Sequence, residues 1–543
     1  MSQTEWDYII VGAGSAGCLL ANRISQAGHR VLLVEAGKSD RHFWVRLPVG
    51  YFRTIFDDRF ARQFKTQAQP ETLDRNIVWP RGRILGGSSS INGLLYIRGQ
   101  HADYDDWEQL GAKGWSFKDV LPFFKKSECF DGPTSTYHGV DGELGVSKLR
   151  NDDPHCAAWL EAAQEYGLPF NPDFNAQTDY GVGSYQLSIK GRWRSSTSVA
   201  FLRPVLSRPN LRVVTGALVS RVLIEKGRAV GIECLVDGQL KKFHASHEVI
   251  LSAGSLQSPQ LLQLSGIGPA DHLRSLGIDV VHDAPDVGRN LQDHYQARTI
   301  VRLKEKTSLN NQIRNPLSLA KMGMQWLFDA RGPLTVGAGQ VGGFAKTSLA
   351  TNDRADIQFN VMPLSVDKPG EPLHEYAGFT VSVCQCRPES TGTLAITSID
   401  PKLAPQIVTN YLTETRDIKT LVEGLEMCRS IYQQPSFANR WVEEKLPGNQ
   451  SLEQFARGFG STVFHPTSTC RMGSDSRAVV SPELQVNGVR GLRVIDASVM
   501  PKVVSANTNA ATIMVAEKGA SLVLGTSNRV IRHLCAYTNQ IVS

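Results

Sequence analysis

The chain has 543 residues, more than one ordinary hydrophobic core organises, so we expect two or more closely packed domains. Its 41% hydrophobic and 20% charged residues are typical of a globular protein and exclude a long disordered chain. A formal net charge of +6, carried by scattered basic residues, gives no reason to expect nucleic-acid binding.

Cysteine usage and apolar runs predict the cellular location. Nine cysteines stand at irregular spacing without a CxxC pair, which favours free thiols in a reducing compartment. No apolar run reaches the roughly 18 residues that a transmembrane helix needs, and the first run leaves no room for a signal peptide. The sequence therefore predicts a cytoplasmic protein without a transmembrane segment, and it leaves peripheral membrane contact open.

The first segment, residues 7–37, predicts a strand, a glycine turn, a helix and a second strand. Gly12 allows the tight turn, Gly14 lets the backbone approach a pyrophosphate, and Gly17 lets the helix pack closely on the strand. Glu35 ends the second strand, where a carboxylate can accept hydrogen bonds from ribose hydroxyls. This pattern predicts a dinucleotide site, and the alternative is an α/β unit whose glycines serve packing alone.

A second glycine-rich segment follows an irregular stretch, residues 39–80, that we expect to be a surface excursion. Residues 80–99 read PRGRILGGSSSINGLLYIRG. Gly86 and Gly87, followed by three serines, do not suit the interior of a packed helix. Their backbone is expected to lie close to a ligand, and the alternative is a flexible loop.

The middle of the chain alternates between types of structure. Residues 101–128 predict a helical region with Trp107, Leu110, Val120 and Phe124 in the core. Loop-rich residues 131–194 are expected to belong to a substrate-facing lobe. Strand patterns return at residues 211–236 and 248–254, and a helix with Pro259 in its first turn follows. Residues 287–294, VGRNLQDH, close this part of the chain.

The last third predicts a mostly antiparallel sheet with covering helices over residues 299–459. The strand-like runs are 356–361, 379–384 and 393–397, and the helical run is 417–432. Residues 463–473, VFHPTSTCRMG, precede a short apolar strand. An alanine-rich helix then begins at three polar residues, Asn507, Thr508 and Asn509.

These segments together resemble the glucose-methanol-choline family of FAD-dependent oxidoreductases, over nearly the whole chain. GRILGGSSSINGLLYIRG resembles the first signature of the family, and GSLQSPQLLQLSGIG resembles the second. HPTSTCRMG and VIDASVMPKVVSANTNAATIMVAEK have the order and spacing of its C-terminal segments. YIRGQHADYDDW, GWSFKDVLPFF and NPDFN are similar to the choline-dehydrogenase-like and sorbose-dehydrogenase-like branch.

The resemblance implies an α/β chain, α+β overall, with two domains. A discontinuous Rossmann-like FAD-binding domain is expected over residues 1–150, 195–298 and 460–543. A substrate domain with a mostly antiparallel sheet and covering helices is expected over residues 151–194 and 299–459.

The resemblance also implies that FAD is the cofactor, with no metal. Covalent attachment in this family uses a histidine before the loop asparagine, and Ile91 stands there, so non-covalent FAD is expected. The residues expected to bind it are Gly12, Gly14, Ser15, Ala16, Gly17, Glu35, Ala36, Arg83, Gly86, Gly87, Ser88, Asn92, Gly93, Leu94, Val219, Ala253, Gly254, Asp496, Ala497, Asn507 and Thr508.

Oxidation of an alcohol removes a proton from oxygen and a hydride from carbon, here to flavin N5. His465 is the expected base, since an imidazole exchanges protons near neutrality. Asn509, 44 residues later, matches the second site position of the family and is expected to orient the substrate oxygen. His294 and His138 are alternative bases. The N-terminus of the last helix is expected to stabilise negative charge on the reduced flavin.

The expected reaction is oxidation of a primary alcohol, such as a sugar or polyol, to the aldehyde. An aryl alcohol would need apolar walls, and choline would need an aromatic cage with a carboxylate. A flavin-containing hydroxynitrile lyase and a non-catalytic flavin-binding protein are the competing functions. Oxygen or a quinone-like carrier is expected to accept the electrons, and the oligomeric state stays open.

Overall fold

The computed structural model of the chain describes residues 5–367 and 370–526. Residues 1–4 and 527–543 of the predicted cofactor domain therefore lie outside the described residues. The strands are β1 Trp6–Val11, β2 Val31–Glu35, β3 Ala61–Lys65, β4 Val78–Gly82, β5 Glu128–Phe130, β6 Leu144–Val146, β7 Gly181–Ser184, β8 Ile189–Lys190, β9 Trp193–Arg194, β10 Leu211–Thr215, β11 Ala217–Glu225, β12 Arg228–Val236, β13 Gln239–Leu251, β14 Ile267–Gly268, β15 His282–Asp283, β16 Tyr295–Leu303, β17 Val341–Ala345, β18 Ile357–Met362, β19 Gly378–Gln385, β20 Thr393–Ala395, β21 Gln406–Val408, β22 Trp441–Leu446, β23 Ser461–Thr462 and β24 Leu492–Val494.

The α-helices are α1 Ser15–Gln26, α2 Phe43–Arg46, α3 Tyr51–Thr54, α4 His101–Gln109, α5 Phe117–Ser127, α6 Pro154–Glu165, α7 Gly254–Leu264, α8 Ala270–Ser275, α9 Leu309–Gln312, α10 Pro316–Met324, α11 Thr415–Tyr432, α12 Pro435–Ala438, α13 Leu452–Phe459 and α14 Thr508–Val523. Shorter 3-10 turns cover Pro48–Gly50, Pro70–Thr72, Gly87–Ser90, Arg203–Val205, Pro333–Thr335 and Ala497–Val499, and π turns cover Ser198–Leu202 and Gln325–Asp329. No described helix is both long and apolar enough to cross a bilayer.

The first sheet is built on β1, which pairs in parallel with β2 on one side and β13 on the other. The strand order is β10-β2-β1-β13-β12-β11, and β24 also pairs with β13 in parallel. Because its parallel strands are covered on both faces, they are continuous apolar runs, with Ile9, Leu32 and Val249 fully buried. Helices α1 and α14 pack against each other beside this sheet. The carboxyl ends of β1, β2, β13 and β24 therefore share one edge.

The second sheet is antiparallel and has the order β22-β16-β19-β18-β17-β7, with β23 paired to β16. Helix α11 covers one face through Leu421, Leu425 and Cys428, which are fully buried. The predicted α/β class and the antiparallel second layer are confirmed. Strand β16 spans the predicted domain boundary at residue 298. Strand β23 pairs with the second sheet although it lies in the range predicted for the cofactor domain.

Residues 101–128 are helical as predicted, in two helices separated by Gly111 and Gly114, which take positive φ values. Two local predictions are wrong. Leu110 is 44% exposed, whereas the other three expected core residues are buried. Pro259 is the sixth residue of α7, which begins at Gly254, so the proline lies inside the helix.

Two segments expected to be irregular contain regular structure. Residues 39–80 include β3, which pairs with β4, and they bury Phe64 and Trp79 in the core of the second sheet, so they are no surface excursion. Residues 131–194 contain helix α6, whose N-cap Asp153 accepts hydrogen bonds from two backbone amides. The eight cysteines within the described part of the chain are free.

Candidate active site

The turn after β1 is closed by contacts that only glycine permits. Gly12 has φ +98°, and a Cβ there would lie 2.6 Å from the Ser252 carbonyl oxygen. A Cβ on Gly17 would overlap the Gly12 carbonyl oxygen, so helix α1 reaches its close packing on β1 through glycine. Gly14 is the N-cap of α1, and a Cβ there would lie in ordinary contact with the Ser252 carbonyl oxygen at 3.9 Å and the Gly87 Cα at 4.0 Å. The first amides of α1 are thus available to an anion.

Glu35 stands at the carboxyl end of β2 and holds this turn in place. Its Oε2 accepts a hydrogen bond of 2.9 Å from the Ala13 amide, and its Oε1 accepts one of 2.7 Å from the Gly37 amide. Burial raises the pKa of the carboxyl. Each oxygen keeps a second lone pair, so the carboxylate can also accept from ribose hydroxyls as the sequence predicts.

The serine-rich loop lies directly on the glycine turn. Gly87 has φ +53°, and a Cβ there would lie 2.7 Å from the Gly14 Cα. Arg194, which sequence reasoning missed, fixes this loop by donating to Asn92 Oδ1 at 2.6 Å and to the Ser89 carbonyl at 3.2 Å. Burial lowers the pKa of this guanidinium to about 9. The loop and the turn form one continuous backbone cradle.

One continuous cavity, partly open to solvent, runs from this cradle to the second sheet. Almost all of the predicted cofactor residues line it; Gly17 and Gly86 do not, since they serve packing behind the wall. Those that line it are Gly12, Gly14, Ser15, Ala16, Glu35, Ala36, Arg83, Gly87, Ser88, Asn92, Gly93, Leu94, Val219, Ala253, Gly254, Asp496, Ala497, Asn507 and Thr508. Ser252 also lines the cavity, and its Oγ is buried without a partner among the described residues. The backbone cradle and this unpaired hydroxyl fit a long dinucleotide such as FAD.

Asp496 follows β24 and fastens the strand-to-helix junction of β13 and α7. Its Oδ2 accepts hydrogen bonds from the Gly254 amide at 2.8 Å and from Ser258 Oγ at 2.6 Å. Its Oδ1 accepts from the amide and hydroxyl of Ser498. The carboxylate thus holds two walls of the cavity together, although neither wall is near the other in sequence.

His465 lies at the far end of the same cavity and is 8% exposed. Its amide donates to Asp293 Oδ1 at 2.7 Å, and the other oxygen of Asp293 accepts from Thr462 at 2.5 Å and from Tyr411. The preceding Phe464 has φ +69°, a costly conformation that persists because Arg81 donates to its carbonyl at 2.9 Å. These contacts fix the imidazole in the cavity wall.

The ring of His465 belongs to a chain of hydrogen bonds whose direction can be assigned. The Cys386 carbonyl only accepts, so His294 Nε2, at 2.9 Å from it, carries a hydrogen. Burial lowers the pKa of His294 to about 4, so its ring is neutral and its Nδ1 accepts. His465 Nδ1, 3.0 Å away, therefore donates.

This assignment leaves His465 Nε2 as a lone pair facing the Asn507 amide nitrogen at 3.2 Å. Burial, then the His294 ring and the Arg81 charge, hold the pKa of His465 well below its usual range. The imidazole is therefore neutral at neutral pH and able to take a proton at Nε2. His294, an alternative base in the sequence prediction, lies behind His465 as its hydrogen-bond partner.

The structure places Asn507, and not the expected Asn509, beside His465. Asn507 is the N-cap of α14, and its Oδ1 accepts from Gln358 at 3.4 Å. Asn509 instead accepts a hydrogen bond of 2.8 Å from Ser15 Oγ, which joins the start of α14 to the start of α1. Asn509, which is predicted from its spacing of 44 residues from His465, therefore belongs to the cofactor cradle. Asn507 is thus the asparagine whose side chain contacts the imidazole.

His138, also predicted as an alternative base, is buried away from the cavity. Its ring contacts Glu128 at 3.1 Å and Asp173 at 2.8 Å, and these carboxylates raise its pKa against the effect of burial. It does not line the cavity. A buried histidine that pairs with two carboxylates away from the cavity holds the fold together.

The second sheet supplies the far wall of the cavity. Because side chains of a strand alternate between faces, residues two apart point into it from β16, β18 and β19. They are Gln296, Arg298, Asn360, Met362, Thr380 and Ser382. Among the described lining residues the only carboxylates are Glu35 and Asp496, both bonded to backbone amides at the first sheet.

Family models described as GMC oxidoreductase match residues 6–296 and 388–516. The chain is 40% identical to an alcohol dehydrogenase [acceptor] of Pseudomonas putida, with 96% of each chain covered. It is 39% identical to the mitochondrial choline dehydrogenase of Mus musculus, over 97% of this chain and 90% of that one. The crystal structure of pyridoxine 4-oxidase from Mesorbium loti superimposes with a TM-score of 0.85 at 28% identity, covering 95% of this chain and 98% of that one.

Proposed function

The chain belongs to the GMC oxidoreductase family and is an FAD-dependent alcohol oxidoreductase, and from that premise we propose that it oxidises an uncharged primary alcohol to the aldehyde. His465 takes the hydroxyl proton, and Asn507 orients the hydroxyl oxygen. The observation that carries this proposal is the unprotonated Nε2 of His465, which lies beside the Asn507 amide nitrogen in the cavity that also contains the dinucleotide cradle, with its tautomer fixed by a chain of hydrogen bonds.

The first sheet and its loops are proposed to hold the cofactor without a covalent bond. FAD, when bound, supplies the acceptor for the hydride that leaves the alcohol carbon. The amides of α1 and the backbone of Gly87 and Ser88 are suited to its phosphates. Ile91 lines the cavity where a covalent attachment would require a nucleophilic side chain.

The proton has a defined path on the protein side. An alcohol oxygen that approaches both His465 Nε2 and the Asn507 amide nitrogen from the cavity donates its proton to Nε2, and the amide nitrogen then donates to this oxygen in place of Nε2. The imidazolium formed keeps its Nδ1 hydrogen bond to neutral His294. No second proton transfer is needed, because His294 remains neutral throughout.

The charge of the cavity selects against a cationic substrate. Arg298 lies in the far wall, and Arg81 lies beside the loop that carries His465. Burial lowers the pKa of Arg298 but leaves a cation, since a guanidinium stays protonated far above neutral pH. The acidic groups that act on these cations, Asp367 and Glu371 on Arg298 and Asp293 on Arg81, are not among the lining residues. A quaternary ammonium group would therefore meet two guanidinium groups and no carboxylate on this part of the cavity surface.

Choline and its tert-butyl analogue, in which carbon replaces the quaternary nitrogen, provide a matched test. Both are primary alcohols of one shape and differ in charge alone. The FAD-loaded protein is mixed anaerobically with each, and the loss of oxidised flavin absorbance is followed. The neutral analogue is expected to reduce the flavin at least about tenfold faster. Faster reduction by choline would overturn the assignment of an uncharged substrate.

A further inference from the structure

Helix α10 and the π turn that follows it expose an apolar surface. The only buried residue of this segment, 316–329, is Met322. Spacings of three, four and seven residues place five exposed apolar side chains on one face of the segment, and Leu319, which is 46% exposed, lies on another face. This apolar ridge consists of Leu317, Ala320, Met324, Leu327 and Phe328. Leu317 is 81% exposed and Phe328 is 66% exposed.

The ridge belongs to an ordered helix. Asn315 caps α10 by accepting hydrogen bonds from the amides of Leu317 and Ser318, and Pro316 occupies the first helical position. On its inner side Met322 packs in a cluster with Leu364, against which Phe52 also packs. Phe52 and Leu364 line the large cavity, so the ridge lies on the outside of the wall near the substrate end.

An aromatic cluster with bound arginines adjoins the ridge. Trp326 and Trp193 are in edge-to-face contact at 4.8 Å, and Phe43, 52% exposed, lies 6.3 Å from each. The arginines lie over these rings or bond to the ridge. Arg46 covers Trp193 at 5.4 Å, Arg53 covers Trp44 at 4.7 Å, and Arg192 covers Trp326 at 5.9 Å and donates to the Leu327 carbonyl.

The surroundings of the ridge are predominantly basic. Lys321 is exposed on α10 itself, Arg314 precedes its cap, and Arg331 follows the π turn. Acidic groups near the ridge include Asp329, at the end of the π turn, and Asp152, which pairs with Arg331 at 3.4 Å. Asp131 pairs with Arg150, whose carbonyl accepts from the Gly332 amide, and Glu371 and Glu375 lie on either side of Leu373, whose carbonyl accepts from Arg314. Cations at both ends of an exposed apolar helix, with tryptophans beside it, are typical of segments that lie in a membrane interface.

We propose that the apolar ridge and the adjoining aromatic cluster dock this protein on an anionic lipid bilayer. The apolar side chains enter the acyl boundary, and the arginines and Lys321 contact lipid phosphates. A second copy of the chain is a poorer occupant, because a two-fold contact would set the same cations against each other. Docking would place the substrate end of the cavity next to the membrane.

Vesicle flotation of the FAD-loaded full-length protein tests this proposal. The probes are phosphatidylcholine vesicles and vesicles that also contain phosphatidylglycerol, at low and high salt. The wild type is expected to float with the anionic vesicles and to be released by salt. Leu317→Asp with Phe328→Asp is expected to lower the bound fraction at least about tenfold. Lys321→Glu is expected to weaken binding to anionic vesicles only.

Ile399→Asp and Leu240→Asp serve as matched controls, because these side chains are 65% and 58% exposed elsewhere on the surface. Both are expected to float like the wild type, and dye-coupled alcohol oxidation reports that every variant is folded. Wild-type protein that stays at the bottom of the gradient at low salt would overturn the proposal. Equal loss of flotation in the controls would also overturn it. A dimer in light scattering that the ridge variant dissociates, without flotation, would assign the ridge to self-association.

Discussion

At the residue scale, the reactivity of His465 depends on a neighbour that never meets the substrate. His294 is neutral and buried, and its Nδ1 accepts from His465 Nδ1 at 3.0 Å. A neutral partner fixes the tautomer without adding a negative charge that would raise the pKa of the base. Nε2 of His465 therefore stays unprotonated in mildly acidic solution.

The low pKa of His465 predicts an unusual pH dependence. The base works when neutral, and its pKa lies below the ordinary 6.5. The rate of anaerobic flavin reduction is therefore expected to stay constant as the pH falls through 6.5 and to decline only below it.

His294→Ala removes the acceptor for Nδ1 and is expected to lower the rate and shift the decline upward in pH. His294→Gln, whose carbonyl can accept, is expected to recover most of the rate. A profile that is the same in all three proteins would contradict the role of His294.

The two asparagines at the start of α14 predict different phenotypes. Asn507 contacts His465, so Asn507→Ala is expected to slow flavin reduction about tenfold or more while FAD stays bound. Asn509 bonds to Ser15 at the cofactor turn, so Asn509→Ala is expected to weaken FAD retention more than it slows reduction. Stopped-flow reduction and flavin content after dialysis separate the two effects. The reverse pattern would restore Asn509 as the orienting residue.

The sequence predicts His465 because the residue stands in a recognisable motif, but it does not predict its partners. The residues that fix His465 and the serine-rich loop form hydrogen bonds to residues that are distant in sequence. Asp293 accepts from the His465 amide, Arg81 donates to the Phe464 carbonyl, and Arg194 donates to Ser89 and Asn92. No spacing rule links these residues to the site. Asn507 and Asn509 are two residues apart in one helical turn. Which of them faces the imidazole depends on how α14 is rotated, which is a property of tertiary packing.

At the scale of elements, the cofactor site depends on the contact between the glycine turn and the serine-rich loop. Gly87→Ala places a methyl group 2.7 Å from the Gly14 Cα and forces a side chain into a positive φ. The variant is expected to lose FAD on dialysis. Gly458→Ala, where the nearest atom would be a side-chain carbon at 3.4 Å, is the matched control and is expected to retain it. Full flavin occupancy in Gly87→Ala would refute the proposed contact.

Periodicity predicts the elements that are long and regular. The β1-α1-β2 unit follows from its apolar runs and glycine spacing, and α11 follows from its helical period. Helix α6 escaped prediction although its signals are present, since Asp153 caps it and Pro154 opens it. Glycine and proline residues on both sides of this helix give residues 131–194 the composition of a loop, so the helix was not predicted.

At the scale of the whole molecule, four strand ends from distant parts of the chain meet at one edge of the first sheet. Glu35 is the last residue of β2, and Gly12, Ser252 and Asp496 come shortly after β1, β13 and β24. All four residues line the same cavity. The parallel rule predicts such an edge once strand order is known. The sequence does not specify that order, nor that the second sheet turns its polar face towards the cavity.

Anaerobic reduction of the FAD-loaded protein by a saturating neutral primary alcohol, compared between the wild type and His465→Ala, tests the central claim most directly. The wild-type flavin is expected to bleach, and the variant is expected to bind FAD normally but bleach at least about 100-fold more slowly. Flavin content measured before mixing ensures that only loaded protein is compared. Reduction of the variant at close to the wild-type rate would contradict the assignment of His465 as the base.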